Sequence, residues 1–170
     1  IWPTPGALSL GLKTMVLPMA RAGMMWPLGR WAGKLKGPRT AMTPETYLGY
    51  ERLARFAQDR ITPDRFAEYE FPDRELEPSE LAYAGRWLVA GERIVAGLDA
   101  RLRLSFTAQK VFLVLGGRGK VRVLLDGKPV RDVRVNGSRL YTLLTLPELT
   151  NGQLELRFDP GVRGYAFTFG

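Results

Sequence analysis

Arg101-Leu102-Arg103-Leu104-Ser105-Phe106 alternates polar and apolar side chains at every step. Period two is the repeat of an extended strand, so Leu102, Leu104 and Phe106 fall on one face and the arginines on the other. The same alternation opens Lys120-Val121-Arg122-Val123-Leu124-Leu125 and runs through Gln153-Leu154-Glu155-Leu156-Arg157-Phe158 and Tyr165-Ala166-Phe167-Thr168-Phe169. Val111-Phe112-Leu113-Val114-Leu115 is unbroken apolar sequence, the pattern of a central strand covered on both sides. Turn signals separate these stretches: Gly116-Gly117-Arg118-Gly119, Asp126-Gly127, Asn136-Gly137 and Asn151-Gly152. Asp-Gly and Asn-Gly suit the positive φ angles of tight hairpins, so antiparallel neighbours are expected. Eight or nine strands fit between Arg86 and Phe169, with no helix-length segment among them. The fold class predicted is all-β: an antiparallel β-sandwich, jelly-roll-like, over residues 81–170, with an irregular N-terminal arm.

Residues 43–80 form that arm, acidic and punctuated by Pro63, Pro72 and Pro78. Thr43-Pro44-Glu45-Thr46 reads as a helix start, with Thr43 as N-cap and Pro44 at the first helical position. Tyr47, Leu48, Leu53 and Phe56 would follow as one apolar face, which predicts a short helix at 43–57. Beyond Ile61 the prolines argue for extended chain. Glu68, Glu70, Asp73, Glu75, Glu77 and Glu80 do not match the spacing of a calcium loop, and a solvated, charged linker is the expectation.

Residues 1–42 stand apart. The first forty carry six bases and no acid, giving +6, against −5 over 41–80 and +7 over 81–170, within a net charge of +8. They hold Trp2, Trp26 and Trp31 and lack Asp, Glu, Asn, Gln, Phe and Tyr altogether. Such a composition resembles wrong-frame translation of GC-rich DNA more than an evolved segment. A basic segment lying on a membrane surface and a disordered tail or linker are the alternatives. No apolar run is long enough for a membrane span, and no signal-peptide pattern is present. The chain begins at Ile1 rather than Met, which predicts a processed chain or an excerpt.

Composition also restricts the chemistry. With 170 residues there is length for one domain with a proper core. There is neither Cys nor His, so disulfides, thiolate nucleophiles, Ser–His–Asp triads and Cys- or imidazole-based metal sites are excluded. No catalytic residue, cofactor-binding residue, metal ligand or cofactor is assigned, and the ligand-binding residues stay open. Gly116–Lys120 lacks the spacing of a phosphate loop and joins two strands, so it reads as a hairpin turn. Trp87, Tyr141 and Tyr165 are candidates for a sugar-stacking platform, weighed against ordinary packing in the core. Arg101, Arg103, Arg122, Arg134 and Arg157 form a stripe that could face a polyanion, weighed against a solvated face. No RNP-type motif accompanies them, so no nucleic acid partner is expected.

Two stretches carry a family resemblance: Thr43-Pro44-Glu45-Thr46-Tyr47-Leu48-Gly49-Tyr50, and Gly152 to Val162 closed by Tyr165-Ala166-Phe167-Thr168-Phe169-Gly170. Gly85-Arg86-Trp87 and the hairpin Leu124-Leu125-Asp126-Gly127-Lys128-Pro129 fit the same pattern. Together, residues 43–170 resemble the C-terminal domain of DipZ-type thiol:disulfide interchange proteins, relatives of cytochrome c biogenesis factors. In that family a thioredoxin-like domain with a Cys-x-x-Cys motif precedes a sandwich resembling a carbohydrate-binding module. A membrane-spanning region anchors the soluble part outside the cytoplasmic membrane.

The resemblance implies a non-catalytic accessory domain of a redoxin, extracytoplasmic (periplasmic or cell envelope), that binds glycan or positions the redox domain. Its partners would be the thioredoxin-like domain of the parent chain and cell-envelope glycan, with membrane contact through the parent or residues 1–40. No redox residue can be carried over, because no cysteine is present, and residues 1–42 do not resemble the thioredoxin-like domain. A protein-docking scaffold without glycan binding is the alternative. A carboxylate-based hydrolase and a polyanion binder stand behind both.

Overall fold

The computed structural model describes residues 41–170, and Ala41–Gly170 is one compact unit. The readings of residues 1–40 therefore lie outside the described residues. Among the described residues nine strands follow in chain order: β1 (Thr46–Tyr47), β2 (Phe66–Tyr69), β3 (Leu81–Val89), β4 (Ile94–Ala96), β5 (Arg101–Gly116), β6 (Arg118–Leu125), β7 (Lys128–Asn136), β8 (Arg139–Phe158) and β9 (Arg163–Phe169). All strand pairings between them are antiparallel, in the order β1-β9-β4-β3-β5-β8-β6-β7, with β2 added to β3 and a further pairing of β9 with β5.

The two long strands build the sandwich. β5 pairs along its length with β8, but its first residues also pair with β3 and its last with β9. The buried residues show how one strand serves both regions. Leu102, Leu104 and Phe106 are buried up to the bulge, and Val111, Leu113 and Leu115 beyond it. Between Ala108↔Thr150 and Lys110↔Thr145 the pairing passes over Gln109 on β5 and four residues on β8, and the inward side of β5 changes parity across this irregularity. Phe112 and Val114 are half-buried, so the apolar run is shielded completely on one face only. Trp87, Tyr83, Phe106 and Phe167 are the largest fully buried side chains.

Asp126-Gly127 makes the expected hairpin, with φ of 48° and 79°. Asn151-Gly152 does not turn the chain. It lies inside β8, opposite Thr107 and Phe106, and Thr107 Oγ1 donates to Asn151 Oδ1 at 2.7 Å. Seven strands start at Leu81 or later, and the other two come from the arm.

The arm is a working part of the sandwich. No helix forms at 43–57, because the backbone groups that a helix would use internally bond elsewhere. Thr43 exchanges backbone and side-chain hydrogen bonds with Thr107, accepting at Oγ1 from the Thr107 N–H at 2.8 Å. Thr46 and Tyr47 pair with β9, and the Tyr50 and Glu51 N–H groups donate to Ala90 O and Gly91 O. Nor is 68–80 a free linker. Glu68 and Tyr69 belong to β2, Tyr69 enters the core, and the Gln58 amide both donates to and accepts from the Tyr83 backbone. Glu80, only 9% exposed, is held by a bidentate pair with Arg74 at 2.7 Å and by the Glu77 N–H. These hydrogen bonds from Arg74 keep its carboxyl below the ordinary range despite burial. Asp73, Glu75 and Glu77 remain in water. Among the described residues no helix is long and apolar enough to cross a membrane.

Candidate ligand-binding face

Alternation sends one set of side chains from β5, β8, β6 and β7 inward and the other outward; register then decides which of the outward ones meet. Arg101 on β5 lies directly opposite Arg157 on β8, which lies opposite Arg122 on β6, which lies opposite Asp132 on β7. One pair further along, Arg103 faces Glu155, and on the other side Lys120 faces Arg134. Directly opposed residues share a sheet face, so these side chains form one charged surface.

Two carboxylates organise it. Glu155, with 9% of its side chain exposed, accepts from Arg103 Nε at Oε2 and from Arg157 Nε at Oε1, both at 2.9 Å. Burial pushes this carboxyl up, but the two arginine hydrogen bonds and charges outweigh it and hold it below the ordinary range. Asp132 accepts from Arg122 Nε at 3.1 Å and lies 3.5 Å from Lys120 Nζ. The Arg122 hydrogen bond is the main reason its carboxyl is also held low. Half-buried Phe71 borders the surface, with the Arg103 guanidinium 4.0 Å from its ring centre and that of Arg101 at 5.4 Å.

A cleft of about 850 Å³ continues this surface where the β5–β6 and β8–β9 connections meet β7. Arg118, Lys120, Asp132, Arg134, Asn136 and Asp159 supply its polar groups. Asp159 Oδ2 accepts the Lys120 backbone N–H at 2.8 Å, which fixes one wall. Asp132 is common to the cleft and the arginine row. Among the described residues, no group of three or more acidic, His or Cys side chains is placed to hold a metal.

The aromatic candidates do not assemble. Trp87 is fully buried, and its Nε1 donates to Ala84 O at 2.9 Å and Arg101 O at 3.2 Å. Tyr141 is 7% exposed, with its hydroxyl bonded to Gly137 O and to the Asn136 N–H. Tyr165, on β9, is half-buried. By contrast, Arg101, Arg103, Arg122 and Arg157 do come together, and Arg134 joins them through the cleft. Residues 116–120 close the β5–β6 hairpin as strand and turn, with no helix to bind phosphate. Sequence reasoning passed over Glu155, Asp132, Asp159 and Phe71. Glu155 carried a signal, since it alternates outward beside Arg157; the other three carried none that separates them from surface residues.

The Glu155 geometry makes an acid-stability prediction. A carboxyl held below its unfolded value stabilises fully above that unfolded value, about 4.3 for Glu, and the contribution is lost as pH falls through the folded value. Glu155→Gln should therefore cost about 2 kcal/mol at pH 7, discounted for arginines partly in water. The difference from wild type should narrow as pH falls below about 4.3 and close as the folded-state carboxyl takes up its proton. Urea midpoints measured from pH 7 to pH 2.5 check this; a gap that does not narrow toward the acid end contradicts it.

The described structure is thus a β-sandwich module with a charged outer face. The model for the thioredoxin-like C-terminal domain family matches residues 43–170, and the chain belongs to that family. The proteins named DipZ from Mycobacterium bovis and Mycobacterium tuberculosis are each 29% identical over 134 residues, which is 78% of this chain. The chain spans about a fifth of their length, 19% of each. Among solved structures, an active-site mutant of a family two carbohydrate esterase from Clostridium thermocellum aligns with a TM-score of 0.48 at 19% identity. That alignment covers 54% of this chain and 31% of the esterase. A second structure of the family two esterase from that organism, in complex with cellohexaose, gives 0.38 at 20% identity over 46% and 26% of the two chains. Neither alignment is close enough to bear on function.

Proposed function

We propose that this domain is the non-catalytic accessory module of a DipZ-type thiol:disulfide interchange protein, placed outside the cytoplasmic membrane, and that it binds envelope glycan. The supporting observation is that the family match coincides with the compact unit, and that this unit contains neither Cys nor His. Thiol exchange in the parent then belongs to its thioredoxin-like domain, which leaves this module to bind or to position. The cleft favours binding: its volume is in the range of small-ligand sites, and its amides, carboxylates and ammonium groups suit sugar hydroxyls. A ¹⁵N NMR titration with envelope-derived oligosaccharides tests the reading. Shifts are expected at the amides of Gly119, Lys120 and Asn136; no response at millimolar saccharide rejects it.

A second reading, positioning of the redox domain by surface contact, draws on a different place. Phe66 is 42% and Leu98 66% exposed, and the Arg86 guanidinium lies 5.4 Å from the Phe66 ring centre while the Arg86 N–H donates to Leu98 O. If docking here is the function, deleting the sandwich changes the stability and client choice of the parent's thioredoxin-like domain. Unchanged behaviour rules this reading out.

A further inference from the structure

We propose that the saccharide taken by this face is anionic, a chain carrying carboxylate or phosphate groups that lie along the row Arg101–Arg157–Arg122 and reach Arg134 through the cleft. This rests on the glycan-binding reading and names the class of glycan.

Like charges set directly opposite one another on a sheet face are destabilising. Here the opposition occurs three times: Arg101 with Arg157, Arg157 with Arg122, and Lys120 with Arg134. Glu155, Asp132 and, in the cleft, Asp159 offset only part of it, since with Arg118 seven bases surround three acids. A cost retained three times on one face marks a place where another charge is meant to sit.

Arg103, Arg157 and Arg122 are each fixed by a carboxylate through Nε alone. Their terminal Nη groups have no protein acceptor among the described residues, yet their orientation is set. A guanidinium has five N–H donors, so each fork keeps its bidentate edge for an oxygen acid. The side chains of Arg103, Arg122, Lys120 and Arg157 are between 35% and 52% exposed, open to a ligand without being loose in solvent. Neighbouring strands lie about 4.8 Å apart, so the three-strand row offers cationic sites at the scale of successive sugar residues.

Neutral sugars and single-stranded nucleic acids are both held chiefly by exposed aromatic faces. Trp87 and Tyr141 are buried, and the Phe71 ring at the border is covered by Arg103. What the face presents is planar, charged donors without stacking surfaces. That chemistry selects carboxylate or phosphate oxygens on a flexible chain.

Calorimetric titration of the full chain tests this, with hexagalacturonate as the carboxylate probe, a phosphodiester-linked oligosaccharide as the phosphate probe and maltohexaose as the neutral control. At least one anionic probe should bind tenfold or more tightly than maltohexaose, and which one does so identifies the charged group. Affinity should fall as salt rises from 50 to 300 mM. Because residues 1–40 add six positive charges, the variants decide the location. Arg122→Gln with Arg157→Gln should weaken anionic binding about tenfold or more, an effect in the range expected for charge-assisted hydrogen bonds. Arg122→Lys with Arg157→Lys, which keeps charge and loses the fork, should lie between, and also serves if the Gln pair folds poorly. Equal binding of maltohexaose, or anionic binding that ignores both pairs, overturns this proposal while leaving the glycan reading intact. Silence toward all three saccharides removes the glycan reading and this proposal with it. Row-dependent binding to a single-stranded oligonucleotide or an acidic protein, tighter than to any saccharide, overturns it in favour of that partner.

Discussion

Gly85→Ala is expected to lower stability by about 4 kcal/mol or to prevent folding outright, the largest effect of any single methyl group considered for this chain. Gly85 has φ of +76°, where an L side chain is already strained. The decisive factor is space. A Cβ at Gly85 would sit 2.1 Å from Asp99 O and 2.6 Å from Asp99 C, both backbone atoms that no rotamer change can move. The contact is forced by hydrogen bonds on either side: the Arg86 N–H donates to Leu98 O, the Gly97 N–H donates to Arg86 O, and the Phe158 N–H donates to Ala100 O. Relief would require β3 to part from the turn before β5. Gly127→Ala is the control. Its φ of +79° is similar, but nothing lies within 4 Å of the added methyl, so only the backbone cost of about 1–2 kcal/mol applies. Equilibrium urea unfolding of both variants checks the pair; equal losses would contradict the role given to Asp99.

Trp87→Ala should cost about 3–5 kcal/mol, the range for emptying a buried aromatic site. Trp87 is wholly buried, with ring centres of Tyr83 and Phe158 at 5.5 and 5.0 Å. Its indole N–H also serves two carbonyl oxygens. Trp87→Phe keeps most of the packing and loses that donor, so about half the loss is expected. Far-UV circular dichroism during urea unfolding reads both, undisturbed by the other three tryptophans. A folded Trp87→Phe domain should keep its response to saccharide, because this residue is a core member and not a stacking surface. A Trp87→Phe variant of wild-type stability that no longer responds to saccharide would reverse that assignment.

The residues that stack in the core and those that face solvent were legible wherever alternation was clean. β5, β6, β8 and β9 all contain the stretches that alternate, and Asp126-Gly127 turns as its chemistry requires. Legibility failed where local and long-range bonding compete. Thr43-Pro44-Glu45 carries a sound capping pattern, but the Thr43 hydroxyl receives the Thr107 N–H instead of capping a helix. Asn151-Gly152 carries a sound hairpin pattern, yet the pairing of β8 with β5 runs straight through it. In both cases the partner lies far along the chain, where no local window can register it. The acidic arm failed similarly: Glu80 looks like one more solvated acid until Arg74 closes over it and Tyr69 enters the core.

For the charged face, the sequence determined that Arg101, Arg103, Arg122, Arg134 and Arg157 point outward, and that no Cys or His is available for chemistry. It determined the strand-forming stretches and, through residues 43–170, the family. Only the tertiary structure decided that Arg101, Arg157 and Arg122 stand side by side, because cross-strand neighbours are set by register. A shift of one residue in any of these pairings would send the charges inward and the leucines out. The unbroken β5–β8 register from Arg101↔Arg157 to Ala108↔Thr150 and the buried Glu155 between two arginines set that arrangement, and both depend on contacts between segments distant in sequence.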